Sequence, residues 1–359
     1  MLYQIALSLI KHLPTKLINE IRKNEGDDIS THKELENLVA NSNTKTAHKI
    51  KLQLQSKKIL LKAESIIKEC EKHRIEIASI YSDNYPELLK ECPDKPNVIY
   101  TKGNINSNNQ ILIAIVGTRN CTEYGLNICK EFISEFNNYK IGIVSGLAYG
   151  IDIQAHKIAN KLKIPNYAVL GSGVNITYPK AHSNHANDIV ENGMLISEFP
   201  PNSPPLSYNF PKRNRIIAGM AKCTLVIESS LKGGSIITAK LANDYNREVF
   251  AIPGNINKIN SQGCNHLIYN HQAHLISHPK KIIELLNLEN SKTAIKPFKP
   301  SLNKQEKEIY ELLKTENKVP FNNIQSKLNI STSRLNTILT TMELEDLIIQ
   351  LPGKIYTIM

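Results

Sequence analysis

The stretch ILIAIVGTRNCTEYG, residues 111–125, decides the fold class and opens the functional question. Six apolar residues, Ile111 to Val116, run without a polar interruption into a glycine, the pattern of a strand buried on both faces of a sheet. A dinucleotide site would continue as G-x-G-x-x-G, so that the backbone can approach a pyrophosphate. Here Gly117 is followed by Thr118 and Arg119. Gly117 frees the turn, amides at the following helix start can hold an anion, and Arg119 brings a forked donor suited to phosphate. An arginine simply exposed at a turn is the other reading that this loop allows.

The pattern repeats downstream. Apolar runs at 141–144, 167–170, 194–197, 224–227 and 249–252 alternate with helical stretches. They predict an α/β fold, a mostly parallel sheet with helices on both faces. Each run ends in a glycine or a polar loop, and such loops gather on one rim, where open α/β sheets bind ligands. The second run closes as Val144, Ser145, Gly146, with no carboxylate for a ribose, so a nicotinamide cofactor is disfavoured and no cofactor is expected.

The later rim loops carry the chemistry. In SGLAYGIDIQAH, 145–156, Gly146 and Gly150 bracket a turn, and Asp152 and His156 form an i, i+4 pair. No nucleophile stands beside them, so a cap or structural pair is expected rather than catalysis. In LGSGVNITYPKAHSNH, 170–185, Lys180 is a candidate phosphate contact, while His182 and His185 lack a third ligand for a metal. SEFPPNSPPLSYNFPKRNRIIAGMAK, 197–222, sets Lys212, Arg213 and Arg215 between Tyr208 with Phe210 and an apolar helix start. Cations near a helix N-terminus are unfavourable unless an anion arrives. The alternative is pairing of the arginines with Glu198 or Glu228. Finally SSLKGGSIITAK, 229–240, places Gly233, Gly234 and Ser235 between strand and helix. This is a phosphate cradle without the G-K-[ST] ending of an NTPase, so it predicts binding without hydrolysis.

Composition bounds the partner. The 359 residues are 41% apolar, enough for two or three domains, and the longest apolar runs are strand-sized, so no membrane span is expected. The N-terminal MLYQIALSLIKHLPTK has its apolar stretch before any positive charge and no small-residue cleavage site after it, which points to the cytoplasm. Six cysteines without a C-x-x-C pair read as reduced thiols. The net charge is +11, and residues 111–285 hold 17 basic against 11 acidic groups, favouring an anionic partner such as nucleic acid on that segment.

Four regions are expected: a helical domain over 1–80, the α/β domain over 81–285, a Pro- and Lys-containing linker over 286–303, and a module over 304–359. The last has the helix and strand order of a winged helix-turn-helix. Its presumed recognition helix offers Arg334 against Glu343, Glu345 and Asp346, which favours a partner-binding role over duplex reading.

Read together, DNYPELL, GTRNCTEYG, SGLAYGIDIQAH, VLGSGVNITYP, ISEFP, FPKRNRIIAGM, GGSIITAKLA, REVFAIPG and GCNHLI resemble, in order and spacing, the DNA-processing family called DprA or Smf. The resemblance covers residues 80–285. It implies an extended Rossmann-like domain that binds single-stranded DNA, forms a homodimer, protects incoming DNA and loads the RecA recombinase in natural transformation. The family's phosphate contacts would fall on Arg119, Lys180, Arg213 and Arg215. Two departures stand out: the N-terminal region, degenerate relative to SAM or helix-hairpin-helix relatives, has KHLPTK at 11–16 instead of a Gly-x-Gly hairpin, and His271 and Gln272 stand where many relatives have Gly and Ala. Tyr124, Tyr149, Tyr178, Tyr208 and Phe210 share loops with the cations and could stack bases, with Phe210 the most core-like. The rivals are a Rossmann-like nucleotide-binding or phosphoribohydrolase-type enzyme, whose P-G-G-x-G-T-x-x-E loop is replaced here by KGGSIITAK without a glutamate, and a duplex regulator acting through the winged module.

Overall fold

A computed structural model describes residues 1–10, 57–103, 107–288, 302–316, 318–344 and 347–358. The chain forms two compact units, Met1–Thr293 and Ala294–Met359. KHLPTK at 11–16 and most of the expected linker lie outside the described residues.

The first unit is built on a nine-stranded sheet of β1 (Glu76–Ser79), β2 (Val98–Gly103), β3 (Ile111–Val116), β4 (Ile141–Ser145), β5 (Asn166–Val169), β6 (Gly193–Ser197), β7 (Cys223–Val226), β8 (Glu248–Ala251) and β9 (His274–Leu275). In space the order is β1-β2-β6-β5-β4-β3-β7-β8-β9. From β6 to β9 every pairing is parallel, while β2 runs antiparallel to both β6 and β1. Alternation along β3 shows why a continuous apolar run was needed. Leu112, Ala114 and Val116 join the core beneath the helices Asn209–Met220, Gly234–Asp244 and Ile259–Tyr269. Ile113 and Ile115 join the core beneath Glu123–Phe136, Ile151–Lys161 and Pro279–Leu285. At about 1.5–3 kcal/mol for each fully buried Leu, Ile or Phe, these two layers dominate the stability of the unit.

Two strands differ from the sequence reading. β1 and β9 were not foreseen, because both are short edge strands, and β9 is exposed at both positions. β1 also changes the account of the N-terminal region. The described residues before 80 do not stand apart: the helices Leu2–Leu9 and Lys57–Lys72 share a core with Tyr100 of β2, Leu170 and Leu195.

A strap of chain leads into β2. Helix Glu87–Lys90 sits in it, and Tyr85 donates to the Pro96 carbonyl at 2.6 Å. Arg215 donates to the Asp94 carbonyl, and the Tyr245 hydroxyl to the Asp94 carboxylate at 2.6 Å. Arg247 donates to the Leu88 carbonyl at 2.8 Å and pairs with Glu91 at 2.7 Å. The strap thus joins β2, beside β6, to the residues that enter β8.

The second unit runs helix Lys304–Glu316, strand Val319–Pro320, helices Phe321–Leu328 and Thr332–Leu344, and strands Ile348–Leu351 and Ile355–Ile358. The last strand lies centrally in a three-stranded antiparallel sheet. This is the element order of a winged helix. Its core is Ile309, Leu313, Ile324, Leu335, Leu339 and Met342.

Candidate nucleic-acid interface

The chain runs from β3 outward to β6 in one direction, then returns to place β7 on the other side of β3. β3 and β7 therefore flank the topological switch point, where the loops leaving their carboxyl ends diverge and open a crevice. A cleft of about 530 Å³ occupies it, lined by Gly117, Thr118 and Arg119 after β3, Tyr178 and Phe210, Arg213, and Gly233, Gly234 and Ser235 after β7.

Two sets of donors face this cleft. Arg119 is exposed, and its side chain has no partner among the described residues. The helix Gly234–Asp244 begins at the cleft wall, and its first amides, Gly234 N–H and Ser235 N–H, have no acceptor among the described residues. Unpaired amides and the helix dipole together make a positive site. Arg213 also lines the cleft, but its Nε is buried, without a partner among the described residues.

Arg213 departs from its expected role as an exposed phosphate contact. Its residue is 4% exposed, and Nη1 donates to the carbonyls of Gly146, at 2.6 Å, and Val169. The buried Asp152 lies within its field and accepts from Gly146 N–H at 3.1 Å. Burial draws the guanidinium down to about 10, opposed by Asp152 and assisted by Arg119, so it stays charged at neutral pH. Burial raises the Asp152 carboxyl, opposed by Arg213 and by the amides of Ala148 and Gly146. The cause lies in helix phase. The helix starts at Asn209, and its buried stripe is Asn209, Arg213, Ile216, Ile217 and Met220, so Arg213 falls in line with the core face. That spacing, present in the sequence, was the signal that could have found it.

The glycines sort by what surrounds them. A Cβ at Gly146 would overlap the Arg213 guanidinium, so this glycine admits the arginine rather than a ligand. A Cβ at Gly117 would strike the Ile151 side chain, and one at Gly233 the Ser229 hydroxyl. At Gly234 a Cβ meets nothing within 4 Å. Only that position opens onto free space.

The remaining candidates lie around the cleft rather than in it. Lys180 is exposed and unpaired among the described residues, two positions from Tyr178. Arg215 is taken up by Asp94 and Glu198, the pairing alternative weighed from sequence, and Lys212 pairs with Glu198 at 2.9 Å while lying over Phe199. Glu228 instead binds the amide and hydroxyl of Thr122, at 2.8 and 2.6 Å, and fixes the start of helix Glu123–Phe136. Asp152 and His156 do not pair with each other: the His156 Nδ1 sits 2.6 Å from the Asn166 amide oxygen, and burial lowers the ring to about 4. His182 Nδ1 faces the Leu147 carbonyl at 2.9 Å, and His185 faces Asp188. No group of three or more His, Cys, Asp or Glu able to hold a metal exists among the described residues. Sequence reasoning did not single out Thr118, Ser207 and Asn214, polar residues on loops and within the helix Asn209–Met220 with no motif of their own.

Tyr178 and Phe210 line the same cleft, and further aromatic rings stand on the loops next to its lining residues. Tyr178 is half exposed and leans on Phe210 at 5.4 Å; Tyr149 is half exposed and stands edge-on to His182 at 4.8 Å. Tyr208 is 68% exposed. Tyr124 is anchored through its hydroxyl to the Pro253 carbonyl.

The sequence profile of the family described as DNA recombination-mediator protein A matches residues 76–287, from β1 to just past the helix Pro279–Leu285. The chain belongs to that family. It is 40% identical over 206 residues to Protein Smf of Escherichia coli, covering 57% of this chain and 55% of that one. It is likewise 40% identical over 190 residues to the DNA processing protein DprA of Streptococcus pneumoniae, covering 53% and 67%. These matches thus span little more than half of Smf and two thirds of the pneumococcal protein. Among solved structures, pneumococcal DprA superposes with a TM-score of 0.67 at 31% identity, over 80% of this chain and 96% of that one. The Helicobacter pylori DNA processing protein A, solved for its single-stranded DNA binding mode, gives 0.54 at 26% identity, over 59% and 96%. The family's sheet and both helical layers are therefore those found here, an extended Rossmann-like α/β fold. No helix among the described residues is long and apolar enough to cross a membrane.

Proposed function

We propose that the chain binds single-stranded DNA along the rim of its α/β sheet, with successive phosphates held by Arg119, the amides of Gly234 and Ser235, and Lys180. Arg213 and Gly146 form the floor. Lys212 and Arg215 act at the margin, since Glu198 already neutralises part of their charge. Tyr178, Tyr149 and Tyr208 offer faces for bases, each worth about 1–3 kcal/mol where stacked. The observation that carries this reading is an unpaired exposed arginine facing an uncapped helix start across the switch-point cleft, in a family whose H. pylori member was solved for single-strand binding.

The chain acts by binding, not catalysis. Among the described residues the one carboxylate lining the cleft is Asp152, buried and engaged by backbone amides, and His156 is held neutral by burial beside Asn166. On the strength of family membership, the protein protects incoming DNA, loads RecA onto it in natural transformation, and works as a homodimer. The test compares a labelled single strand with duplex of the same sequence across a salt series, for the wild type and for Arg119→Ala with Lys180→Ala. Each lost phosphate contact lowers the log–log salt slope by about 0.7 for a single strand. A slope unchanged in the double variant refutes the site. The recombinase step is read from RecA filament formation on a single strand, with and without the protein.

A further inference from the structure

Beyond the cleft, on the β8 side, lies a surface that the reading above leaves unused. Residues 229–243 and 249–283 contain no Asp or Glu, yet include Lys232 and Lys258, both exposed and without a partner among the described residues. Next to these lysines along the chain stand exposed apolar side chains: Leu231 at 51%, Ile256 at 79% and Ile259 at 69%. The carboxylates bordering them are few. Glu228 is buried and committed to Thr122, which leaves the exposed Glu123 and Glu131, the latter close enough to act on Tyr124.

This surface is continuous with the cleft. Asn260, two residues after Lys258, donates to the Asn120 carbonyl at 2.8 Å, and Asn120 follows Arg119. The Ser229 amide donates to the Asn260 carbonyl at 2.7 Å, and the Tyr124 hydroxyl to Pro253 at 2.9 Å. The loop after β8 is thereby fixed to the loops after β3 and β7. Sheet order converts this into a line: Lys180 after β5, Tyr149 after β4, Arg119 after β3, Lys232 after β7, Lys258 after β8. Four strand spacings of about 4.8 Å make roughly 19 Å. At the ~3.4 Å rise of a stacked strand, that is the length of about five nucleotides.

We infer that the single-strand path continues past the cleft over the β7 and β8 loops, with Lys232 and Lys258 holding two further phosphates and Leu231, Ile256 and Ile259 lying against bases. The occupant is a single strand, not a duplex, because cations alternate here with bare apolar side chains, and a duplex keeps its base faces stacked inside. The inference rests on the function proposed above, extending the same strand beyond the site assigned there.

The experiment uses the full chain and a labelled 15-nucleotide oligothymidylate, titrated at several salt concentrations. Lys232→Ala with Lys258→Ala is expected to lower the log–log salt slope by about 1.4, two contacts at about 0.7 each, with wild-type melting. Lys232→Arg with Lys258→Arg restores the slope. An unchanged slope in the alanine pair overturns the inference, as does an equal loss on duplex of the same length. If the alanine pair loses slope while Arg119→Ala with Lys180→Ala keeps it, the β8 path stands and the cleft assignment falls. Salt-independent binding by the wild type overturns both.

Discussion

Gly234→Ala separates what the cleft does for a ligand from what it does for the fold. Position 234 is the first residue of helix Gly234–Asp244, its φ lies outside the left-handed region, and an added Cβ meets nothing within 4 Å. The substitution therefore strains nothing. Alanine in place of a helical glycine stabilises by a few tenths to about 1 kcal/mol. The methyl group, however, adds bulk beside the Gly234 and Ser235 amides, which have no acceptor among the described residues, where the phosphate would sit. Losing one hydrogen bond to a charged group costs about 1.5–3 kcal/mol. At about 1.4 kcal/mol per factor of ten, the dissociation constant for a single strand rises roughly tenfold to a hundredfold, while the melting temperature holds or increases. Fluorescence anisotropy with a labelled oligonucleotide, paired with thermal unfolding, reads both. Wild-type affinity in a fully folded variant refutes the anion site at this helix start.

Gly146→Ala has the opposite profile: its Cβ displaces Arg213 from the Gly146 and Val169 carbonyls and leaves Asp152 buried without its countercharge, so urea unfolding is expected to show a loss of about 3–5 kcal/mol. Arg119→Ala alone is expected to leave unfolding unchanged and to remove one phosphate's share of the salt slope, about 0.7; an unaltered slope counts against its contact. His156 is neutral in the fold down to about 4 and protonates near 6.5 when unfolded, so the unfolded state binds the extra proton between those values and stability falls as pH drops through that window. The contribution reaches about 3 kcal/mol. Because Asp152 acts in the opposite sense, the check is the difference between the wild type and His156→Gln, which should shrink toward pH 4 and remain constant above pH 7.

Much of the first unit was legible because its central strands are sealed on both faces, which forces continuous apolar runs that no surface segment imitates. β3 to β8 announce themselves in this way. β1 and β9 do not, since an edge strand of two to four residues needs no apolar run and takes its identity from a neighbour far away in sequence. For the site, loop composition revealed Arg119 and the Gly233–Gly234–Ser235 turn, which line one cleft. It gave no sign that Arg213 is buried, because proximity to a helix start says nothing of the helical phase that turns the side chain inward. The division of labour among glycines was also hidden, since Gly117, Gly146, Gly233 and Gly234 look alike in one dimension and are told apart only by their neighbours in space.

The strap through Asp94 has a mechanical meaning. A crevice at a switch point is in principle a jaw, because the strands on its two sides could swing about the β3–β7 seam. Here Arg215, Tyr245 and Arg247 lash the chain that enters β2 to elements beside β7 and β8, like a bar across the back of a clasp. Swinging open would break these bonds together. The groove is consequently a fixed slot, and a flexible strand must conform to it, so most of the ordering entropy of binding falls on the DNA.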